Sequence, residues 1–585
     1  MAIATLLSSP LLFAMRQMLL ALLLSAAPAA HGANVTLTTL SAPAGSMRGI
    51  ATSSYRMFAG VPYAEPPVGA RRWRAPTPRA PWSGVRDTLS YGSSCVQPTP
   101  FDPAMGAQSE DCLFLNVYAP PLAASNAGAA AAVLVWFHGG SFLQGGGHEE
   151  RLNGTYLVTL LKRRLVVVTI NYRLGVFGFS GAAALRGRNP GSRDTGNYGL
   201  QDQREALRWV SKNIAAFGGD PTRVFAAGQS AGAGSVTAHL VMPKSWGLFQ
   251  RAGMESGAFA AWGVTSMASA EAAWAALASN LKCDHHPRSA LTSRSSNSSS
   301  SALIACMEKK PAAEVLAAVP SIAAYGPTID GVELADAPWV LAAQGKLAPG
   351  VPIIAGAAAE DGDSNSLSAT IDAPALAAWL RTTMLSYGAN ETTQNAVAKA
   401  YAAAPPPLNA SRPGEGFDRF YWSAKHMLAD SEMLCPARRI ARWVAAAGAG
   451  ARERREQTPR GWVYQFRYAA PASCGAGMGA KHSVEIPFVF HVLAGNEDQY
   501  HLHGAEEIAL SATVAQMWAN FAESGDPNGG GAPSIAERWP AFSNDNANVM
   551  LFDVASKGGV RHAAHFRESM CTLWDSIPQS ETPTQ

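Results

Sequence analysis

An α/β fold with a mostly parallel sheet is predicted by three observations. Strand-length apolar runs recur at Ala132–Phe137, Leu165–Asn171, Val224–Gly228, Val351–Ala355 and Trp462–Tyr468. Helix-compatible segments separate many of them, the alternation that parallel strands joined by helical crossovers require. No clean domain boundary follows residue 33, so residues 34–585 are expected to form one domain.

The composition agrees. Of 585 residues, 48% are hydrophobic and 15% charged, enough apolar material for a large core, which excludes wholesale disorder. The net charge of +3 gives no electrostatic case for nucleic acid or a polybasic membrane surface. No solenoid, collagen or coiled-coil period is visible.

From the N-terminus, Arg16 is followed by the apolar run Met18–Leu24 and the small residues Ser25-Ala26-Ala27-Pro28-Ala29-Ala30. This is the pattern of a secretory signal peptide, expected over residues 1–33, with an uncleaved membrane anchor as the alternative. The polar C-terminus carries no retention signal or lipidation tail, so a soluble, secreted protein without a stable membrane anchor is expected. Seven cysteines in an exported chain predict up to three bridges and one spare thiol. Sequons at Asn34, Asn153, Asn297, Asn390 and Asn409 would permit glycans.

The run Val133–Phe137 leads into His138-Gly139-Gly140-Ser141-Phe142. Small residues after a strand let backbone N–H groups face a cavity, as in an HGGG-type oxyanion loop with Ser141 at the third glycine. Gln201–Phe217 reads as a helix with Ala206, Leu207, Val210 and Ile214 on one face. The run Val224–Ala227 then precedes Gly228-Gln229-Ser230-Ala231-Gly232, the G-x-S-x-G of a nucleophile elbow. Such a turn lifts the serine hydroxyl above the sheet and points the Ala231 N–H toward a developing oxyanion.

A serine hydroxyl needs a base and an orienting acid, in the chain order Ser, acid, His for this architecture. Ala359-Glu360-Asp361-Gly362 follows one predicted strand, and Lys481-His482-Ser483 follows another. With 13 histidines, spacing alone does not select His482. Other signals are weaker. The Ser-rich stretch Pro287–Ala302 reads as a flexible surface insertion. His491, His501 and His503 lack a metal-ligand spacing and read as surface histidines. Gln144–His148 lacks the Lys-Ser/Thr of a phosphate loop.

The chain resembles the type-B carboxylesterase and cholinesterase family of α/β hydrolases over nearly everything after the leader. The segments that carry the resemblance are Phe58–Gly69 (FAGVPYAEPPVG), Ser109–Val117 (SEDCLFLNV), Asn171–Gly175 (NYRLG), Gly199–Gln203 (GLQDQ), Phe217–Pro221 (FGGDP), His482–Phe490 (HSVEIPFVF), Trp518–Phe521 (WANF) and Gly525–Asn528 (GDPN). The resemblance implies Ser230 as nucleophile, His482 as general base, and the N–H groups of Gly140, Ser141 and Ala231 as oxyanion donors. Relatives place the acid directly before a glycine, usually as Asp-Glu-Gly. Here the order is Glu360-Asp361-Gly362, so Asp361 is the expected acid and Glu360 the alternative. Gln229 departs from the Glu that many relatives carry before the nucleophile, and Ser256 matches a serine that supports the His–acid pair.

The resemblance also implies the bridges Cys95–Cys112, Cys283–Cys306 and Cys435–Cys571, with Cys474 left over, and an Arg72–Glu110 ion pair. It implies hydrolysis of small-molecule carboxylic esters without metal or other cofactor. Residues 96–111 lack the Trp with which cholinesterases hold a quaternary ammonium, so choline specificity is not expected. A lipase for longer acyl chains, and a non-catalytic, neuroligin-like adhesion or binding protein, are the alternatives.

Overall fold

The computed structural model describes residues 35–577 except 99–104, 122–129, 163, 189–190, 285–295, 322–324, 363–369, 387–389, 404–417, 454–459, 470–477, 494–501, 503 and 530–536. The expected leader, Cys474, His501, His503 and the sequons at Asn34 and Asn409 lie outside the described residues.

In chain order the strands are β1 (Thr36–Ala42), β2 (Gly45–Ala51), β3 (Arg56–Pro62), β4 (Val85–Asp87), β5 (Ser94–Cys95), β6 (Gln108–Ser109), β7 (Phe114–Ala119), β8 (Ala131–Phe137), β9 (Leu165–Ile170), β10 (Gly219–Gln229), β11 (Arg251–Glu255), β12 (Thr265–Ser266), β13 (Thr328–Ile329), β14 (Ile353–Ala358), β15 (Gly461–Phe466), β16 (Val549–Phe552) and β17 (Arg561–Ala563). Thirteen of them form one sheet in the order β1-β2-β3-β7-β9-β8-β10-β11-β14-β15-β16-β17, with β4 on β2. From β9 to β16 every pairing is parallel; the pairings from β1 to β9 along this order and that of β16 with β17 are antiparallel, while β4 runs parallel to β2.

The central strands read as continuous apolar runs because both faces are covered. Alternate residues of β8 and β9 divide between two cores. Val133, Val135, Phe137, Val166 and Val168 join Leu207, Val210 and Ile214 on one face. Leu134, Trp136, Leu165 and Val167 join Val514, Met517, Trp518 and Phe521 of the helix Ala505–Ser524 on the other. The period-2 geometry of a strand and the helical period of its covering layers account for both sets.

The expected strands are all present, with shifted ends. The run expected from Val351 forms β14 only from Ile353, since Pro352 has no N–H to donate to the ladder. The expected helix over 201–217 runs Tyr198–Asn213 and tightens into a 3-10 turn, Ile214–Phe217, which Gly218 ends at φ 92°.

The Ser-rich insertion is a correction: its second half is not a loop but enters the helix Ser296–Glu308. Burial of Ile304 and Met307 against the core anchors that helix. Among the described residues no helix is long and apolar enough to cross a membrane.

Candidate active site

β10 delivers Ser230 into a turn with φ 58° and ψ −125°, before the helix Ala231–Val241. A non-glycine residue at such a φ costs on the order of 1–3 kcal/mol, so the surroundings must hold it there. They do so through hydrogen bonds and close packing. The Ser230 N–H donates to the Glu255 carbonyl at 2.8 Å, and the Gly234 N–H donates to the Ser230 carbonyl at 2.9 Å. A Cβ on Gly232 would lie 1.9 Å from the Phe137 carbonyl oxygen, and one on Gly228 would lie 2.6 Å from the same atom. Only glycines let the strand, the helix and β8 approach this closely.

Beside the elbow lies the loop after β8. Gly140 and Ser141 both have positive φ, 108° and 55°, and the Gly140 carbonyl accepts from Leu143 at 2.9 Å. Among the described residues no protein acceptor takes up the N–H of Gly140, Ser141 or Ala231. His138 anchors this loop. Its Nδ1 lies 2.8 Å from the Gly139 carbonyl oxygen, its ring stacks on Tyr172 at 4.3 Å between centroids, and the Tyr172 hydroxyl donates to the His138 carbonyl. Burial pushes the His138 pKa down to about 4, so the ring is neutral at pH 7 and acts as a structural donor.

The acid and the base arrive on the turns after β14 and β15. His482 Nδ1 lies 2.5 Å from Asp361 Oδ1, and the Ala358 N–H donates to Asp361 Oδ2 at 2.8 Å. The Asp361 side chain has no exposed surface, whereas that of His482 is 37% exposed. Burial opposes charge on the imidazole, but the Asp361 charge and hydrogen bond, helped by Glu485, outweigh it and raise the His482 pKa. Glu360 is turned away, toward His426 and the Ala480 N–H. Of the two candidate acids, Asp361 is the one that touches the ring.

Gln229 is buried beneath the imidazole, with its Nε2 3.2 Å from His482 Nε2. Among the described residues, that amide and Asp361 are the side chains in hydrogen-bonding contact with the ring, and no hydrogen bond joins Ser230 Oγ to it.

Ser256, expected to support the His–acid pair, is hydrogen-bonded to a third side chain. Its hydroxyl donates to Glu485 Oε1 at 3.0 Å, not to Asp361 or His482. Behind it Glu255 accepts from Trp518 Nε1 at 2.8 Å. Both carboxyls are buried and have raised pKa values, burial being the largest cause; the Glu485 charge adds to the rise at Glu255, and the Asp361 charge adds to the rise at Glu485. Sequence reasoning missed this pair because its members come from separate elements, although Glu485 lies inside the His482–Phe490 segment and Glu255 directly precedes Ser256.

The expected bridges Cys95–Cys112, Cys283–Cys306 and Cys435–Cys571 are present. Arg72 and Glu110 form a two-armed ion pair at 2.5 and 2.7 Å. His491 is not a surface histidine: the chain turns at φ 55° there and buries the ring, with Nδ1 2.9 Å from Ser511 Oγ. Among the described residues no cluster of His, Cys, Asp or Glu is arranged to hold a metal ion.

The model of the carboxylesterase family matches residues 35–574. The chain belongs to the carboxylesterase family. It is a carboxylic ester hydrolase with the α/β-hydrolase architecture. Among curated relatives of this carboxylesterase, the para-nitrobenzyl esterase of Bacillus subtilis (strain 168) is 32% identical over 516 residues, 87% of this chain and 93% of that one. The cholinesterase of Mus musculus is 30% identical over 561 residues, 88% and 82% of the respective chains. Among solved structures, a Geobacillus stearothermophilus carboxylesterase aligns with a TM-score of 0.72 at 28% identity, covering 92% of this chain and 100% of that one. A para-nitrobenzyl esterase structure aligns at 0.70 and 28%, covering 92% and 99%.

Proposed function

We propose that this carboxylesterase is a secreted serine esterase of a single catalytic domain, residues 34–585, that works through an acyl-enzyme. The observation that carries this reading is the Asp361–His482 contact at 2.5 Å, with the ring above the elbow that presents Ser230. Ser230 Oγ attacks the ester carbonyl carbon while His482 Nε2 takes its proton. The carbonyl oxygen becomes an oxyanion received by the N–H groups of Gly140, Ser141 and Ala231. Such donors each contribute about 10²–10³ in turnover. The C–O bond then breaks, and the alcohol leaves with the proton from His482. Water, deprotonated by the same ring, hydrolyses the acyl-Ser230 ester and restores the hydroxyl. The cycle needs no metal or organic cofactor.

For this to proceed, His482 Nε2 must exchange its Gln229 neighbour for Ser230 Oγ. Catalytic hydrogen bonds are often loose before substrate binds and tighten in the complex.

Three bridges favour an oxidising compartment, consistent with a leader over residues 1–33. Of the sequons, Asn153 and Asn390 each accept from a nearby threonine at a helix start, but Asn390 is exposed whereas Asn153 is buried. Glycosylation of the folded protein is therefore assigned to Asn390 rather than Asn153.

The test is hydrolysis of p-nitrophenyl esters from acetate to palmitate, alongside Ser230→Ala. Turnover lost in the variant supports the serine mechanism, and the preferred chain length separates an esterase from a lipase. Undiminished turnover by Ser230→Ala rejects the mechanism.

A further inference from the structure

The carboxylate beside Asp361 has a geometry of its own. Glu360 Oε1 lies 3.1 Å from His426 Nε2, and Glu360 Oε2 accepts the backbone N–H of Ala480 at 2.6 Å. The backbone closes the same pair in the opposite direction, with the Glu360 N–H donating to the Ala480 carbonyl at 3.1 Å. One residue thus holds Ala480 through both of its backbone polar groups, and His482 follows two positions later.

The fit is close. Gly479 sits at φ 62°, and a Cβ there would lie 2.7 Å from Glu360 Oε2. The carboxylate therefore lies flat against the chain that leads to His482, at a place only glycine suits. Ala480 is fully buried, so its N–H has no water to turn to. The Glu360 and His426 side chains are only 13% and 10% exposed, so solvent competes weakly for their contact.

His426 belongs to the helix Arg419–Ala429. Leu428 of that helix closes on the other side of the acid turn, where a Cβ on Gly362 would lie 2.1 Å from Leu428 Cβ. This helix therefore touches the turn on both sides of Asp361.

We propose that Glu360 is a positioning residue for ester hydrolysis: it fixes the chain at Ala480 and so sets the reach of His482, while His426 holds its carboxylate from the helix Arg419–Ala429. The proposal rests on the reading of His482 as the general base. The acid turn then grips the histidine loop twice, at the ring through Asp361 and at the backbone through Glu360. A base must stay within about 0.5 Å of its productive place, and two grips restrict pivoting that one allows. Glu360 touches no substrate in this scheme, so its loss changes turnover and leaves binding alone.

The test compares Glu360→Ala, Glu360→Gln, His426→Phe and His482→Ala on p-nitrophenyl butyrate, with thermal unfolding of each. Glu360→Ala is expected to lower kcat by about 10²-fold, with KM unchanged within about twofold. Glu360→Gln is expected to recover most of that loss. Its carboxamide oxygen accepts the Ala480 N–H, and its NH₂ donates to His426 in the other tautomer. His426→Phe is expected to fall between the two.

Wild-type kcat in Glu360→Ala, with His482→Ala inactive, overturns the positioning role and leaves the mechanism intact. Activity in His482→Ala overturns the mechanism itself. A folded Glu360→Gln as impaired as Glu360→Ala overturns the hydrogen-bonded clamp. If Glu360→Ala does not fold, His426→Phe decides: unchanged kcat there overturns the hold from the helix.

Discussion

His482 Nδ1 meets Asp361 Oδ1 at 2.5 Å, and the carboxylate that makes this contact is wholly shielded from solvent. The shielding gives the pair its direction. Asp361 favours a proton on Nδ1 and leaves Nε2 free to act as base. It also raises the imidazole pKa, although burial works the other way.

The pH profile follows. His482 accepts a proton only when neutral, so activity falls as pH drops through its pKa. Because that pKa is raised, the acid limb of kcat/KM is expected above the ordinary histidine value of about 6.5. Asp361→Asn removes the charge, so the limb moves down, and kcat falls by about 10⁴ as the wrong tautomer is favoured. A pH–rate profile of both proteins checks this. An acid limb at the same pH in both would contradict the coupling.

Gln229 supplies a neutral amide 3.2 Å from His482 Nε2. Gln229→Glu puts a negative charge in that place. The acid limb is then expected to rise by about one pH unit, the lower end of what a close opposite charge does. A choline ester is expected to gain in kcat/KM over its neutral isosteric ester. Equal effects on both esters would show that position 229 does not sense substrate charge.

Burial, and after it the charge of Glu485, hold the Glu255 carboxyl well above the ordinary carboxylate range. A carboxyl with a raised folded pKa binds more protons folded than unfolded. Its penalty is absent at acid pH and grows as pH rises past the unfolded value of about 4.3 toward the folded one. Glu255→Gln keeps an acceptor for Trp518 and removes the ionisation. Its thermal midpoint, relative to wild type, is expected to improve more at pH 8 than at pH 5. A pH-independent difference would show that the carboxyl does not titrate between the states.

Two of the bridges close loops of very different length, with sequence separations of 17 for Cys95–Cys112 and 136 for Cys435–Cys571. In the chain-entropy model these contribute about 3 and about 5 kcal/mol. Urea unfolding of the two double Cys→Ser variants is therefore expected to show the greater loss for Cys435–Cys571. The reverse order would mean that native-state packing outweighs loop closure.

What was legible in the sequence divides along a physical line. Ser230 and the Gly140–Ser141 loop were visible because each needs glycines at fixed offsets beside an apolar strand, a demand met within a few consecutive residues. His482 needs no particular neighbours to act as a base, so only the resemblance to a family singled it out. Adjacent Glu360 and Asp361 left the acid open, because the turn sends them to different partners, Asp361 to His482 and Glu360 to Ala480 and His426, all of them remote in sequence. The Glu255–Glu485 pair was invisible for the same reason on a larger scale: burial brings the two together, and no local pattern records it. The buried state of His491 went unread because a left-handed turn, rare for a non-glycine residue, directs its ring inward.

The central claim is that the ester's acyl group passes through Ser230. The most direct measurement mixes the enzyme rapidly with excess p-nitrophenyl ester, follows p-nitrophenol release, and quenches for mass spectrometry of the peptide that holds Ser230. A burst of at most one equivalent is expected, with the added mass of one acyl group on Ser230 and neither signal in Ser230→Ala. Steady turnover with no acylated peptide, retained in Ser230→Ala, would contradict the claim.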